Sequence, residues 1–130
     1  MSGINWEDRN GRIYTSGNPA HPSPWYLILN GKARGIPPEV KNQLFLASVH
    51  PETIPDISVL PMGTDFPKDT CLVGVAGGTS ARWLLEGDGV NGIPSGHIFE
   101  QYQFDEGRVI LVNQIVFSHF APAANVRGRP

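Results

Sequence analysis

The sequence predicts a small, mainly β domain of the α+β class. Roughly six to eight short antiparallel strands are expected as a small barrel, roll or sandwich, with one short helix and extended termini. Three observations predict it. Fifteen glycines and twelve prolines cut the 130 residues into short segments and exclude long helices. β-rich runs stand beside the turn signals Asn10-Gly11, Asn30-Gly31 and Gly77-Gly78. Only one stretch, residues 38–49, combines a helix start with helical spacing.

Residues 1–24 read as an extended arm and loop. Asn10-Gly11 offers a two-residue hairpin turn between INWED and RIYTS, and Pro19, Pro22 and Pro24 then forbid helix and remove ladder donors. Residues 25–29 form a strand closed by Asn30-Gly31, a type I′ pair. In the helix, Pro38 suits the first turn, Glu39 complements the dipole, and Val40, Leu44 and Ala47 recur at i, i+4 and i+7. His50-Pro51 ends it. Residues 57–60 and 71–76 read as apolar strands, Gly77-Gly78 as a tight turn, residues 79–85 as a returning strand, and 87–96 as a loop.

Residues 97–120 predict a long antiparallel hairpin around Asp105-Glu106-Gly107. Its second run, 109–117, is apolar except at Asn113 and Gln114, which predicts a central strand covered on both faces. Residues 121–130 carry neither period nor core residues and read as a C-terminal tail. The whole chain fits a single domain, 1–130.

Composition narrows the function classes. Ten Lys plus Arg against twelve Asp plus Glu give a net charge of −2, so nothing attracts nucleic acid in general. Lys32 with Arg34, and Arg127 with Arg129, read as small solvated clusters. Cys71 is the single cysteine, which excludes an internal disulfide and favours a reducing compartment, cytoplasm or virion. Its apolar neighbours make it a core thiol. No basic-then-apolar leader and no apolar run near the ~20 residues of a bilayer span is present, so neither a cleaved signal nor a membrane partner is expected.

Three groups of residues could carry function. Glu100, Arg108 and His119 supply a general base, a phosphate-clamping guanidinium and a general acid, the set that RNA cleavage by a 2′-hydroxyl needs. In residue order they are similar to small microbial guanyl-type ribonucleases, which carry Glu, Arg and His on a central antiparallel sheet packed against a helix. That resemblance covers three residues and implies a small hydrolase. In the predicted register Glu100 and Arg108 share a face, while His119 joins them only through a bulge between Asn113 and Ser118.

The second group is the amides Gln101, Gln103, Asn113 and Gln114, placed where a two-sided core would take aliphatics, with Arg82 behind a glycine-rich segment. They could line a ligand cavity. Residues 86–92 carry oxygen ligands but lack the distal glutamate of a calcium loop. His97 and His119 would stand roughly 13 Å apart on one strand face. No metal site and no cofactor is predicted.

The third group is Trp6 and Trp25 beside the proline arm, with Arg127 and Arg129 in the tail, as anchors for a protein partner. The reading that covers most features is a non-enzymatic interaction or assembly protein whose arms dock on a partner or on a second copy, the layout of small virion and host-binding viral proteins. The alternatives are a small RNase-like hydrolase and a small-ligand binder with a barrel cavity.

Overall fold

The computed structural model describes residues 5–16, 25–78, 81–87 and 89–129. The predicted proline loop at residues 17–24 therefore lies outside the described residues, as do Thr79 and Ser80 after the Gly-Gly turn. The mainly β, α+β class holds: among the described residues nine strands form two mixed sheets with three short α-helices, and neither sheet closes into a barrel.

The first sheet has the order β3-β2-β1-β4, built from β1 (Ile13–Ser16), β2 (Trp25–Leu29), β3 (Lys32–Ile36) and β4 (Glu52–Ile54). Asn30 at φ 52 and Gly31 at φ 78 make the two-residue turn that the sequence predicts, with Leu29 opposite Lys32. Asn10-Gly11 behaves differently. Residues Trp6–Arg9 are a 3-10 turn rather than a strand, and Asn10 (φ −52, ψ 132) with Gly11 (φ 89) takes type II geometry closed by Arg12 N–H to the Arg9 carbonyl at 3.0 Å.

The predicted helix is shorter than 38–49. Helix α1 is Pro38–Leu44, and it stops because Phe45 turns extended (φ −110, ψ 151) to bridge Phe104. Val40 and Leu44 are buried as expected, whereas Ala47, past the helix end, is exposed. Residues Ile57–Val59, predicted as a strand, are a 3-10 turn capped by the Asp56 side chain on Ser58 N–H.

The second sheet has the order β8-β5-β6-β7-β9. Strands β5 (Cys71–Val75) and β6 (Arg82–Glu86) match the prediction and pair antiparallel. Strand β7 (Gly89–Ile93) replaces a predicted loop, because it pairs antiparallel with β6, Glu86 standing opposite Gly89.

The long C-terminal hairpin does not form. Its first arm is helix α2 (Gly96–Gln101), started by the Ser95 hydroxyl accepting from Ile98 N–H at 3.2 Å. The aromatic and β-branched residues that suggest a strand sit at helical spacing, so Ile98, Phe99 and Tyr102 pack together on the main core. Its second arm shrinks to β8 (Ile110–Val112), after which the Asn113 side chain caps helix α3 (Gln114–Phe117) by accepting from Val116 N–H at 2.8 Å. Strand β8 runs parallel to β5 at the end of the sheet and is not the covered central strand the apolar run predicts.

The main core lies between the sheets and is closed by α1 and α2, with Leu27, Leu44, Leu72, Leu84 and Tyr102 all fully buried. Arg34 of β3 reaches across to Glu86 of β6 through two hydrogen bonds and covers the Phe66 ring at 4.3 Å. The C-terminal segment contributes as well. Strand β9 (Ala121–Pro122) runs along β7, and Val126, 1% exposed, enters the core.

Candidate functional site

Two surfaces bring chemistry-bearing or unpartnered groups together: a polar cleft beside α2 and the free edge of β8. The cleft, of about 340 Å³, lies where the Asn10-Gly11 turn, β4, α2 and the tail meet. Gly11 is required here, because at φ +89 any Cβ would strike the Gln101 carbonyl. Arg12 and Glu52 pair on one wall at 2.9 Å. The other charged lining groups are Glu100 and Arg129, joined by His50 and the Gln103 side chain.

Gln103 is held at φ 59, a left-handed position that usually takes glycine, because it ends α2: its N–H donates to the Glu100 carbonyl and Phe104 N–H to that of Phe99. Gln101 accepts from Arg129 N–H at 2.9 Å through Oε1, and its Nε2 lies 3.3 Å from His97 Nε2. Four sequence candidates, Glu100, Gln101, Gln103 and Arg129, thus meet in one cleft.

Glu100, Arg108 and His119 do not share a cleft. Glu100 lies on a ridge between the polar cleft and a second cleft of about 530 Å³ beside Arg82 and Phe99. Arg108 lines a third with Trp25 and Lys41, and His119 follows α3, exposed and lining none of the three. The cross-strand pair expected of Glu100 and Arg108 requires a hairpin that is absent; Arg108 instead stands 3.8 Å from Asp105.

The remaining candidates have structural partners. Arg82 forks onto Glu106, which raises its pKa, and lies so close over Gly74 that a Cβ there would meet Nη1 at 2.8 Å. Asn113 is the α3 cap and Gln114 its exposed first residue, so neither faces a barrel interior. Trp6 meets Tyr14 edge-on at 6.0 Å, and Trp25 carries Lys41 Nζ 4.2 Å above its ring. Burial, aided by nearby Asp69, pushes the Cys71 thiol up, as suits a core position.

The tail is not a free arm. Arg127 pairs with Glu7, Asn30 clasps Arg127 N–H and the Asn125 carbonyl, the Tyr102 hydroxyl donates to the Arg127 carbonyl at 2.6 Å, and Arg129 Nη1 donates to the Asn10 carbonyl at 2.8 Å. Arg127 and Arg129 are engaged within their own chain. Apart from the Tyr102 contact, which spans 25 residues, these contacts span about a hundred residues or more of sequence, so no local pattern could announce them.

The β8 edge is the second surface. Of the seven exposed large apolar side chains among the described residues, Ile110, Leu111, Ile115 and Val116 fall together on β8 and α3. Register places Ile110 opposite Val73 and Leu111 opposite Gly74, on opposite faces of the sheet. Phe117 packs on Trp83 with ring centroids 4.4 Å apart and planes tilted by 53°, which lays α3 on the Val73 face. Apolar groups therefore flank the edge on both faces.

Among the described residues that edge also has no partner strand. Ala76 N–H donates to the Val112 carbonyl at 2.8 Å. In a parallel ladder a residue turns both its N–H and its C=O to the same neighbour, and successive residues alternate. Ile110 and Val112 address β5, and Leu111 turns its N–H and C=O outward.

Among the described residues no helix is long and apolar enough to cross a membrane, and no group of three or more His, Cys, Asp or Glu could hold a metal ion. Comparison of the chain with family models, curated proteins and solved structures finds no match.

Proposed function

We propose that the protein is a non-catalytic assembly protein of the cytoplasm or a virion, and that its partner is a second copy docked on the free edge of β8. The observation that carries this reading is Leu111, 58% exposed at the end of a sheet with its backbone turned outward. Natural edge strands normally carry a blocking charge or proline. Residues 109–118 contain neither. A charge-free edge meets no like charge when it faces its own copy, and two β8 strands related by a two-fold axis at Leu111 would exchange both Leu111 hydrogen bonds while Ile110 meets Val112 of the second copy.

The size of the patch sets the strength. Four half-exposed side chains offer on the order of 400 Å² per copy, about half of what a standard interface buries on each partner. The dimer is accordingly weak, micromolar rather than nanomolar. Light scattering across a concentration series tests this: the mass should rise from monomer toward dimer, and Ile110→Lys combined with Ile115→Glu should remain monomeric with an unchanged circular dichroism spectrum. A wild-type protein that stays monomeric at millimolar concentration discards the reading. The hydrolytic alternative gains no support from geometry, since Glu100, Arg108 and His119 do not line a common cleft.

A further inference from the structure

We propose that the polar cleft beside α2 binds a small polar zwitterion, with its ammonium group toward Glu100 and its carboxylate toward Arg129. The inference is independent of self-association, because it uses none of the β8 and α3 residues.

Charge accounting points to this ligand class. Arg12 and Glu52 satisfy each other at 2.9 Å. Among the described residues Glu100 has no ion-pair or hydrogen-bond partner for its carboxylate, and Arg129 has no carboxylate partner, yet both line the cleft without pairing with each other. One unanswered charge of each sign in one cleft favours a ligand that carries both. A lone anion would meet Glu100 unfavourably, and a lone cation would meet Arg129.

Arg129 is held in place, while Glu100 projects as an exposed side chain from a fixed helix. Arg129 Nη1 is fixed by the Asn10 carbonyl at 2.8 Å and its backbone N–H by Gln101 at 2.9 Å, which leaves the rest of the fork for a carboxylate. Glu100 sits on α2, whose end is locked by the left-handed Gln103. Gln103 and His50 add further hydrogen-bonding groups at the wall. A volume of about 340 Å³ suits a ligand of amino-acid size. No Phe, Tyr or Trp lines the cleft among the described residues, so a polar body is favoured over an apolar one.

Titration of the full-length ¹⁵N-labelled protein tests the proposal with three probes. These are L-glutamine, which carries both charges, N-acetyl-L-glutamine, which keeps only the carboxylate, and L-glutaminamide, which keeps only the ammonium. L-Glutamine should give saturable shifts at the Gly11 and Gln103 amides, with each single-charge probe weaker by about tenfold or more. Glu100→Gln should weaken L-glutamine without weakening the N-acetyl probe, and Arg129→Gln should weaken it without weakening the amide; the spectra of both variants report whether the fold is intact. Equal affinity for all three probes, shifts confined to other regions, or no saturable shift in the wild-type protein overturns the proposal.

Discussion

The Tyr102 hydroxyl donates to the Arg127 carbonyl at 2.6 Å, so a fully buried side chain at the end of α2 holds the C-terminal segment onto the core. Tyr102→Phe keeps the ring and its stacking on Phe104 but leaves that carbonyl unpaired. The expected loss is about 1–2 kcal/mol in chemical denaturation, with faster hydrogen exchange at Val126.

Burial raises the pKa of Tyr102 well above its ordinary value of 10.0. A raised folded-state value means that the stability it contributes is complete below the unfolded-state value and is lost as pH rises beyond it. Stability of the wild-type protein should fall above about pH 10, and Tyr102→Phe should flatten that fall. An alkaline limb unchanged in the variant would contradict this.

Asn10 gathers three segments. Its side chain donates to Glu7 at 2.9 Å and to the Gly128 carbonyl at 3.3 Å, and accepts from Gly31 N–H at 2.9 Å, while the residue is fully buried. Asn10→Ala strands these groups and should cost about 2–4 kcal/mol in equilibrium unfolding. An exposed asparagine cap such as Asn113, replaced in the same way, should cost about 1 kcal/mol.

Glu7 is held below its ordinary carboxyl value of 4.5, chiefly by the Arg127 guanidinium, with Asn10 contributing. A depressed folded-state value means the contribution is present above that ordinary value and is lost as pH falls through the lower folded one. Exchange protection of the tail amides should therefore drop below about pH 4.5 before the β2–β3 ladder loosens. Loss of both together would show that the tail is not a separately released element.

Two glycines separate strain from collision. Gly77 has φ +72 and open space around it, so Gly77→Ala should cost about 1–2 kcal/mol for the left-handed backbone alone. Gly11 has φ +89 and faces the Gln101 carbonyl, a backbone atom that cannot swing away. Gly11→Ala should cost more, about 3 kcal/mol or above, in thermal unfolding.

Local signals made part of this fold legible. Asn30-Gly31 marks a turn and residues 25–29 the strand before it, and the apolar run at β5 marks another strand, because each depends on residues adjacent in sequence. Residues 96–117 misled because Ile98, Phe99 and Tyr102 satisfy a strand's composition and a helix's spacing at once, and the Ser95 and Asn113 caps decide in favour of helix. Arg34 looked like surface charge until the fold carried it to Glu86 on the other sheet, and the tail looked empty because its partners, Glu7, Asn10 and Asn30, lie at the opposite end of the chain. The polar cleft is half legible in the sequence: Glu100, Gln101, Gln103 and Arg129 stand out as candidates, while Arg12 and His50 reach it only because β1 and β4 begin beside them.

The most direct measurement for β8 pairing is disulfide formation by Leu111→Cys in a Cys71→Ala background. A hydrogen-bonded antiparallel pair places the two Cα atoms about 5.5 Å apart, within disulfide reach. Val59→Cys serves as the control, since Val59 is 60% exposed and Leu111 58%. Under mild oxidation Leu111→Cys should yield a covalent dimer several-fold faster than Val59→Cys; equal rates for the two would contradict an assembly built on the β8 edge.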